Sequence, residues 1–248
     1  MLRSVTTRVV DNIGLGPLLR PLARGAREQR AYLGRIPHLI SRPRQIKAYF
    51  AEPGMKGLHL GASDKLLSGW LNTDLEPTGS GATFLDATAR FPFSNGVFDF
   101  VFCEHFVEHI DRRGAISCFA EVFRCLKRGG VFRVATPDLM KYVGLFAQTR
   151  TPEQQTYMEQ ASMFYGWERS TACHALNHVM YNWGHRFLYT EDELRQDLKS
   201  AGFGTVVTAA VGVSAHRPLC NIERHAEFSG VELNRFETMV LEATKAAV

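Results

Sequence analysis

The sequence predicts an α/β chain built on a doubly wound, mostly parallel sheet of about seven strands with helices on both faces. Three observations predict it. First, short apolar runs recur from Gly57 at the spacing of strand and connection units: GLHL (57–60), WLNTDL (70–75), ATFLD (82–86), VFDFVFC (97–103) and VFRVATP (131–137). Continuous apolar runs of this length suit parallel strands covered on both faces. Second, DRRGAISCFAEVFRCLKRGG places Ile116, Phe119, Ala120, Val122, Phe123 and Leu126 on one helical face and ends on Gly129 and Gly130. That is the helix a parallel crossover between the fourth and fifth strands needs, with glycine as its stop. Third, TEDELRQDLKSAGF opens on Thr190 and Glu193, a capping pair, and closes on Gly202, after which GTVVTAAVGV and ETMVLEATK read as the final strands.

The 248 residues, 45% apolar and 22% charged, suffice for a buried core, and no apolar run approaches the ~18 residues of a membrane span. Five cysteines, odd in number and without a CxxC pair, read as reduced thiols of a cytoplasmic protein. The net charge of +4 is uneven: residues 1–56 hold 11 Lys and Arg against 3 acids, so the remainder is mildly acidic. The chain therefore divides into a basic N-terminal extension (1–56) and a main domain (57–248). Residues 138–189, helical in tendency and rich in aromatics, form a lid or insertion within that domain. Pro17, Pro21, Pro37 and Pro43 predict short helices in the extension, and its start, MLRSVTTRVV, has the Arg-rich, acid-poor look of a transit peptide. Two roles stay open for it: peripheral contact with an anionic membrane, or docking on the protein's own acidic body. With little interleaving of basic and aromatic residues, it does not read as a nucleic-acid binder.

The chemistry concentrates at strand ends. The first strand runs into Gly61, Ala62 and Ser63, and the second ends in Asp74. A residue without a β-carbon lets the backbone approach a nucleoside, and an acid at the next strand end can accept from ribose hydroxyls. An NAD-dependent oxidoreductase is disfavoured: one glycine of GxGxxG is present, and Asp74 follows Gly61 by 13 residues where a dinucleotide site needs ~20. Asp86 closes the third strand, as a ligand contact or a local cap. Asp99 opens the fourth strand as a turn residue, and Glu104 and His105 stand at that strand's carboxyl end.

In order, GLHLGASDKLLSGWLNTDL, DATARFPFSNGVFDFVFCEHFVEHI and FAEVFRCLKRGGVFRVATPDL resemble the class I S-adenosylmethionine-dependent methyltransferases, whose sheet is Rossmann-like. They look closest to a small bacterial group with a GW-x-N-x-D element after the first glycine, to which GHRFLYTEDELRQDLKSAGF and ETMVLEATK are also similar. The resemblance covers residues 57–248. It implies methyl transfer from S-adenosylmethionine to an oxygen or nitrogen of an acceptor; Tyr181, Asn182 and Trp183 beside the lid histidines suit a polar one, a small molecule or a glycan. It further implies that Gly61, Ala62 and Ser63 line the methionine and ribose side of the donor, that Asp74 holds the ribose hydroxyls, that Asp86 and Ala87 face the adenine, and that Glu104 lies beside the amino or sulfonium end. Two positions depart from the family: Ala62-Ser63 replaces its common second glycine, and His59 its usual first acid. A domain of this fold that binds or scaffolds without catalysis is the alternative reading.

A hydroxyl acceptor must lose a proton, for which an imidazole is the natural base. His105 and His109 follow the fourth strand, so either is the expected base, with His185 closing or orienting the acceptor. His225 and His216 have no such placement. No metal is expected. His105, Glu108 and His109 spell HxxEH, but the string begins at a strand end rather than within a helix, and it is not the ExxEH spacing of metal-assisted methyltransferases.

Overall fold

The computed structural model describes residues 16–247, with side chains from Leu33 onward, so the transit-like start lies outside the described residues. The chain separates into two units, residues 1–47 and 48–248. The described residues of the first belong to helix α1 (Gly16–Ala51). The expected series of short helices is one continuous helix. Pro17 sits at its first turn, where no amide bond is lost, and an interior proline removes one bond without ending the turns on either side. The boundary also falls earlier than residue 56, because Tyr49 and Phe50 already pack on the second unit. The Tyr49 hydroxyl bonds the Gly57 carbonyl and amide (2.9 and 2.8 Å), and Phe50 meets Phe93 and Phe98. No helix among the described residues is long and apolar enough to cross a membrane.

The second unit is built on strands β1 (Gly57–Leu60), β2 (Trp70–Asp74), β3 (Thr83–Phe84), β4 (Phe98–Glu104), β5 (Leu126–Pro137), β6 (Thr205–Ala209) and β7 (Thr238–Thr244), in spatial order β3-β2-β1-β4-β5-β7-β6. All neighbours are parallel except β7, which runs antiparallel to β5 and β6. The order reverses between β1 and β4, so their carboxyl ends bound the crevice where open α/β sheets take ligands.

One face carries α2 (Arg112–Cys125) and α6 (Glu191–Ser200). Asp111 caps α2 by accepting from the Gly114 amide, and Thr190 caps α6 by accepting from the Glu193 amide. The Glu193 carboxylate pairs with Arg112. The buried stripe of α2 is Ala115, Cys118, Phe119, Val122 and Cys125, rotated from the expected face, so Ile116 and Ala120 are exposed. Phe119, Phe132, Phe203 and Phe123 form a ring-on-ring chain beneath it. The helix ends at Cys125 instead of the double glycine. Leu126 already pairs with Phe98, and Gly129 (φ +76°) makes the bulge that precedes Val131.

The other face is covered by connections: Leu219 and Ile222, from the segment between β6 and β7, pack on Trp70, Phe102 and Val131. Arg133, wholly buried, fastens that segment. It bonds Glu223 and Glu242 and donates to the carbonyls of Val213 (2.9 Å) and Ala210 (3.0 Å).

The lid leaves the sheet at Asp138 and returns at Tyr189, which bridge one another. It comprises α3 (Leu139–Gly144), α4 (Pro152–Tyr165) and α5 (Ala172–Tyr181). The β6–β7 connection adds α7 (Ala226–Ser229) and α8 (Val231–Glu237), and α8 joins the lid's own core, with Leu233 and Phe236 among Tyr142, Tyr157, Met158 and Val179.

Candidate active site

Gly61, at φ +65°, turns the chain out of β1. A β-carbon there would come within 2.5 Å of the Phe106 ring, so only glycine fits. The Ala62 amide then bonds the Thr73 carbonyl (2.9 Å), the Ser63 amide bonds one Asp74 oxygen (2.9 Å), and the Glu76 amide bonds the other (2.8 Å). The GW-x-N-x-D residues have visible work here. Gly69 turns at φ +79°, and Trp70 is buried. The Asn72 side chain bonds the Leu67 amide and carbonyl and Nδ1 of His59. Asp86 lies two residues past β3, and its Oδ1 accepts from the Thr88 amide and hydroxyl as a local cap, next to buried Ala87. Asp99 accepts from Lys127 and the Lys56 amide, a turn anchor. Both oxygens of Glu104 are taken by the amides of Arg224 (2.7 Å) and His225 (2.9 Å).

A cavity of about 400 Å³ opens at the carboxyl ends of β4 and β5. His105, His109, His185, His225, Tyr142 and Glu237 line it, Asp64 and Lys65 reach it from the β1 loop, and Trp183 and Phe228 wall it. His105 holds a left-handed backbone (φ +45°) unusual for a non-glycine residue, a local strain of the kind that collects at functional sites. Its Nε2 meets the Thr238 hydroxyl (3.1 Å), its Nδ1 lies 3.2 Å from Glu108, and its ring stacks on His225 (3.7 Å). Glu237 pairs with His225 (3.3 Å) and accepts from the Tyr142 hydroxyl (3.1 Å). His109 stands edge-on to His185, 4.9 Å between ring centres.

Residues 60–134 match the model of a family described as a methyltransferase domain. Over that stretch the chain is similar to a methyltransferase domain. No curated protein matches the chain. Among solved structures it is similar to a SAM-dependent methyltransferase of Thermotoga maritima, described as a possible histamine N-methyltransferase (16% identity, 89% of this chain and 95% of that one, TM-score 0.44). It is also similar to a SAM-dependent methyltransferase of Archaeoglobus fulgidus (14% identity, 83% and 92%, TM-score 0.45). Likenesses this distant carry no argument about the site.

The strand ends have the acceptors that a nucleoside such as that of S-adenosylmethionine would need. Asp74 and Asp86 are only half-buried, and each carboxylate keeps acceptor capacity beyond its local bonds. Glu104, by contrast, spends both oxygens on backbone amides. In the cavity, burial lowers the His105 pKa, but the Glu108 carboxylate, with Glu237 and Glu104, outweighs it and holds the imidazole above its ordinary value. For Glu108, burial raises the pKa and the His105 contact brings it below the usual carboxylate range. Burial lowers His178 and His185.

The structure brings the three candidate histidines to one cavity. Sequence reasoning passed over His225, which stacks on His105, together with Glu237 and Tyr142. One signal pointed to the segment bearing His225: an arginine inside the apolar run VFRVATP requires carboxylates from elsewhere to cover it.

Proposed function

We propose that this methyltransferase methylates an oxygen or nitrogen of a small polar acceptor, with a sugar hydroxyl the best fit, held in the histidine-lined cavity. The observation that carries the reading is the position of that cavity: it opens at the same sheet edge as the Gly61 loop, with Asp64 and Lys65 on its rim. In this reading Gly61, Ala62 and Ser63 border the methionine and ribose, Asp74 binds the ribose hydroxyls, and Asp86 and Ala87 border the adenine. Glu104 acts indirectly, by fixing the Arg224–His225 backbone that shapes the cavity. The bound donor supplies a methyl group already activated by its sulfonium. The protein's task is to align the acceptor, exclude water and take up a proton. His105, its Nε2 bonded to Thr238 and its Nδ1 held beside the Glu108 carboxylate, is a positioning residue. His109 and His185 offer ring nitrogens to the acceptor, and the Trp183 and Phe228 rings offer an apolar wall for a sugar face.

The test is a methyl-transfer screen over sugars, glycans, amines and phenols with wild type, His109→Gln and His185→Gln, measuring S-adenosylhomocysteine affinity in parallel. A loss on the order of 10²-fold in turnover with unchanged donor-site affinity supports the reading. Both variants turning over normally would refute it. The five free cysteines suit a reducing compartment, the cytoplasm. In the first unit, exposed Leu33, Ile36 and Ile40 follow one helical stripe beside Arg44 and Lys47, which supports peripheral contact with anionic lipid.

A further inference from the structure

We propose that Glu108, His109 and His185 hold a divalent cation of the zinc class in the acceptor cavity. The proposal rests on the reading of that cavity as the acceptor site and deepens it: His109 and His185 would act on the acceptor through the cation and not by direct contact, the cation taking an acceptor oxygen as a further ligand.

One potential ligand atom from each of the three residues lies within 4.8 Å of the others. Metal–ligand bonds of about 2.0–2.2 Å set such atoms ~3.4 Å apart, a contraction within the reach of side-chain rotation. The second observation is an orphan. Glu108 is wholly buried; its Oε2 accepts from the Thr136 hydroxyl (2.9 Å), while Oε1 has no hydrogen bond. His105 Nδ1 lies 3.2 Å from Oε1 but outside hydrogen-bonding geometry. With His105 as an ion-pair neighbour but no hydrogen-bond donor, Oε1 keeps lone pairs that a cation can take.

The imidazoles are prepared in the same sense. The His185 Nδ1 meets the Val179 carbonyl, which can only accept, so Nδ1 carries the proton and Nε2 keeps its lone pair. A backbone carbonyl on the far ring nitrogen is the usual outer support of a metal-bound histidine. The His109 side chain makes no hydrogen bond among the described residues, and its ring meets His185 edge-on. The two backbone segments are tied together as well: the amides of Arg186 and Phe187 both donate to the Glu108 carbonyl (2.7 and 3.2 Å), which holds His185 beside the turn that bears Glu108 and His109.

The set differs from the HxxEH string of the sequence. His105 is outside it, occupied by Thr238, and the third ligand comes from the lid. Two imidazoles and one carboxylate, with the remaining positions open to a cavity, make the donor set of an open site for zinc or a neighbouring first-row ion. A hydroxyl bound there loses its proton to water more readily, and the resulting oxygen pair is held for attack.

Full-length protein stripped with chelator is titrated with Co2+, followed by visible absorption, and with Zn2+ in competition. One cobalt per chain is expected, displaced by zinc. His109→Ala and His185→Ala should each weaken binding on the order of 10²-fold, while His178→Ala and His225→Ala, in the same cavity, keep it. A thermal melt of each variant verifies folding. Wild-type binding no tighter than that of the His109→Ala/His185→Ala double variant, or equal losses at His225, overturns the proposal. S-adenosylhomocysteine titration of the metal-free protein separates the two claims. Donor-site binding and methyl transfer that persist without cation would remove the cation and keep the methyltransferase reading. Cobalt binding without methyl transfer to any acceptor would do the reverse.

Discussion

Replacing Arg133 by Met should destabilise the protein strongly. All five guanidinium N–H donors are engaged: Nε with Glu223, Nη1 with the Val213 carbonyl (2.9 Å) and Glu242 (2.6 Å), and Nη2 with the Ala210 carbonyl (3.0 Å) and Glu223. The side chains of Glu223 and Glu242 are 1% and 6% exposed, so the substitution leaves two buried carboxylates without a counter-charge. Breaking a buried ion pair in this way costs about 3–5 kcal/mol. At ~2–4 °C per kcal/mol for a chain of this size, the melting temperature should fall by about 10 °C. Urea denaturation followed by far-UV circular dichroism measures the first number and calorimetry the second. The triple variant Arg133→Met, Glu223→Leu, Glu242→Met removes all three charges together and should recover most of the loss, because the penalty lies in the unpaired charge and not in the missing bonds. A single variant within about 1 kcal/mol of wild type would refute this account of the segment's attachment.

Three further outcomes are expected. Asp74→Ala should lower S-adenosylhomocysteine affinity by about 1–3 kcal/mol and speed amide exchange at Ser63 and Glu76, whose amides it holds; unchanged calorimetry would remove Asp74 from the donor site. Burial lowers the His59 pKa from 6.5 to about 4, so the unfolded chain binds more protons between those values. The stability tied to His59 is therefore complete above about pH 6.5 and lost as pH falls toward 4, by up to about 3 kcal/mol; His59→Gln should flatten that part of the curve in urea titrations, and an unflattened curve would exclude His59 as its source. The full chain should sediment with anionic vesicles in a salt-sensitive manner, whereas a chain lacking residues 1–47 should not; equal recovery of both would retire the lipid contact.

Legibility in the sequence followed covering, not importance. Strands β1 and β2 are nearly the runs GLHL and WLNTDL, because strands covered on both faces bury almost every position, the polar His59 and Asn72 being bonded to each other. The end of α2 was misplaced because Gly129 and Gly130 resemble a helix stop, whereas Gly129 serves a bulge in β5. The connection from 210 to 237 has no apolar periodicity of its own. Its few buried apolar residues, Leu219, Ile222, Leu233 and Phe236, face two different cores. Neither strand nor helix spacing could announce a segment whose fold is dictated by Arg133 on one side and Glu104 on the other.

That connection also changes what the strand-end residues are for. Glu104 stands where the family resemblance implies a direct donor contact, yet its carboxylate binds the Arg224 and His225 amides and thereby sets His225 over His105. From there a continuous polar chain runs through Glu237 to Tyr142 on the lid, and on the other side through Glu108 to Thr136 on β5. Sheet, lid and connection thus share one buried network, and a buried network that loses one member leaves its neighbours unsatisfied. A substitution at Glu104 should therefore disturb the cavity through His225 as much as it disturbs the donor. The two effects separate in a double-mutant cycle of Glu104→Gln with His225→Ala, which reads a coupling between the two positions if the chain is intact and near-additive losses if Glu104 acts on the donor alone.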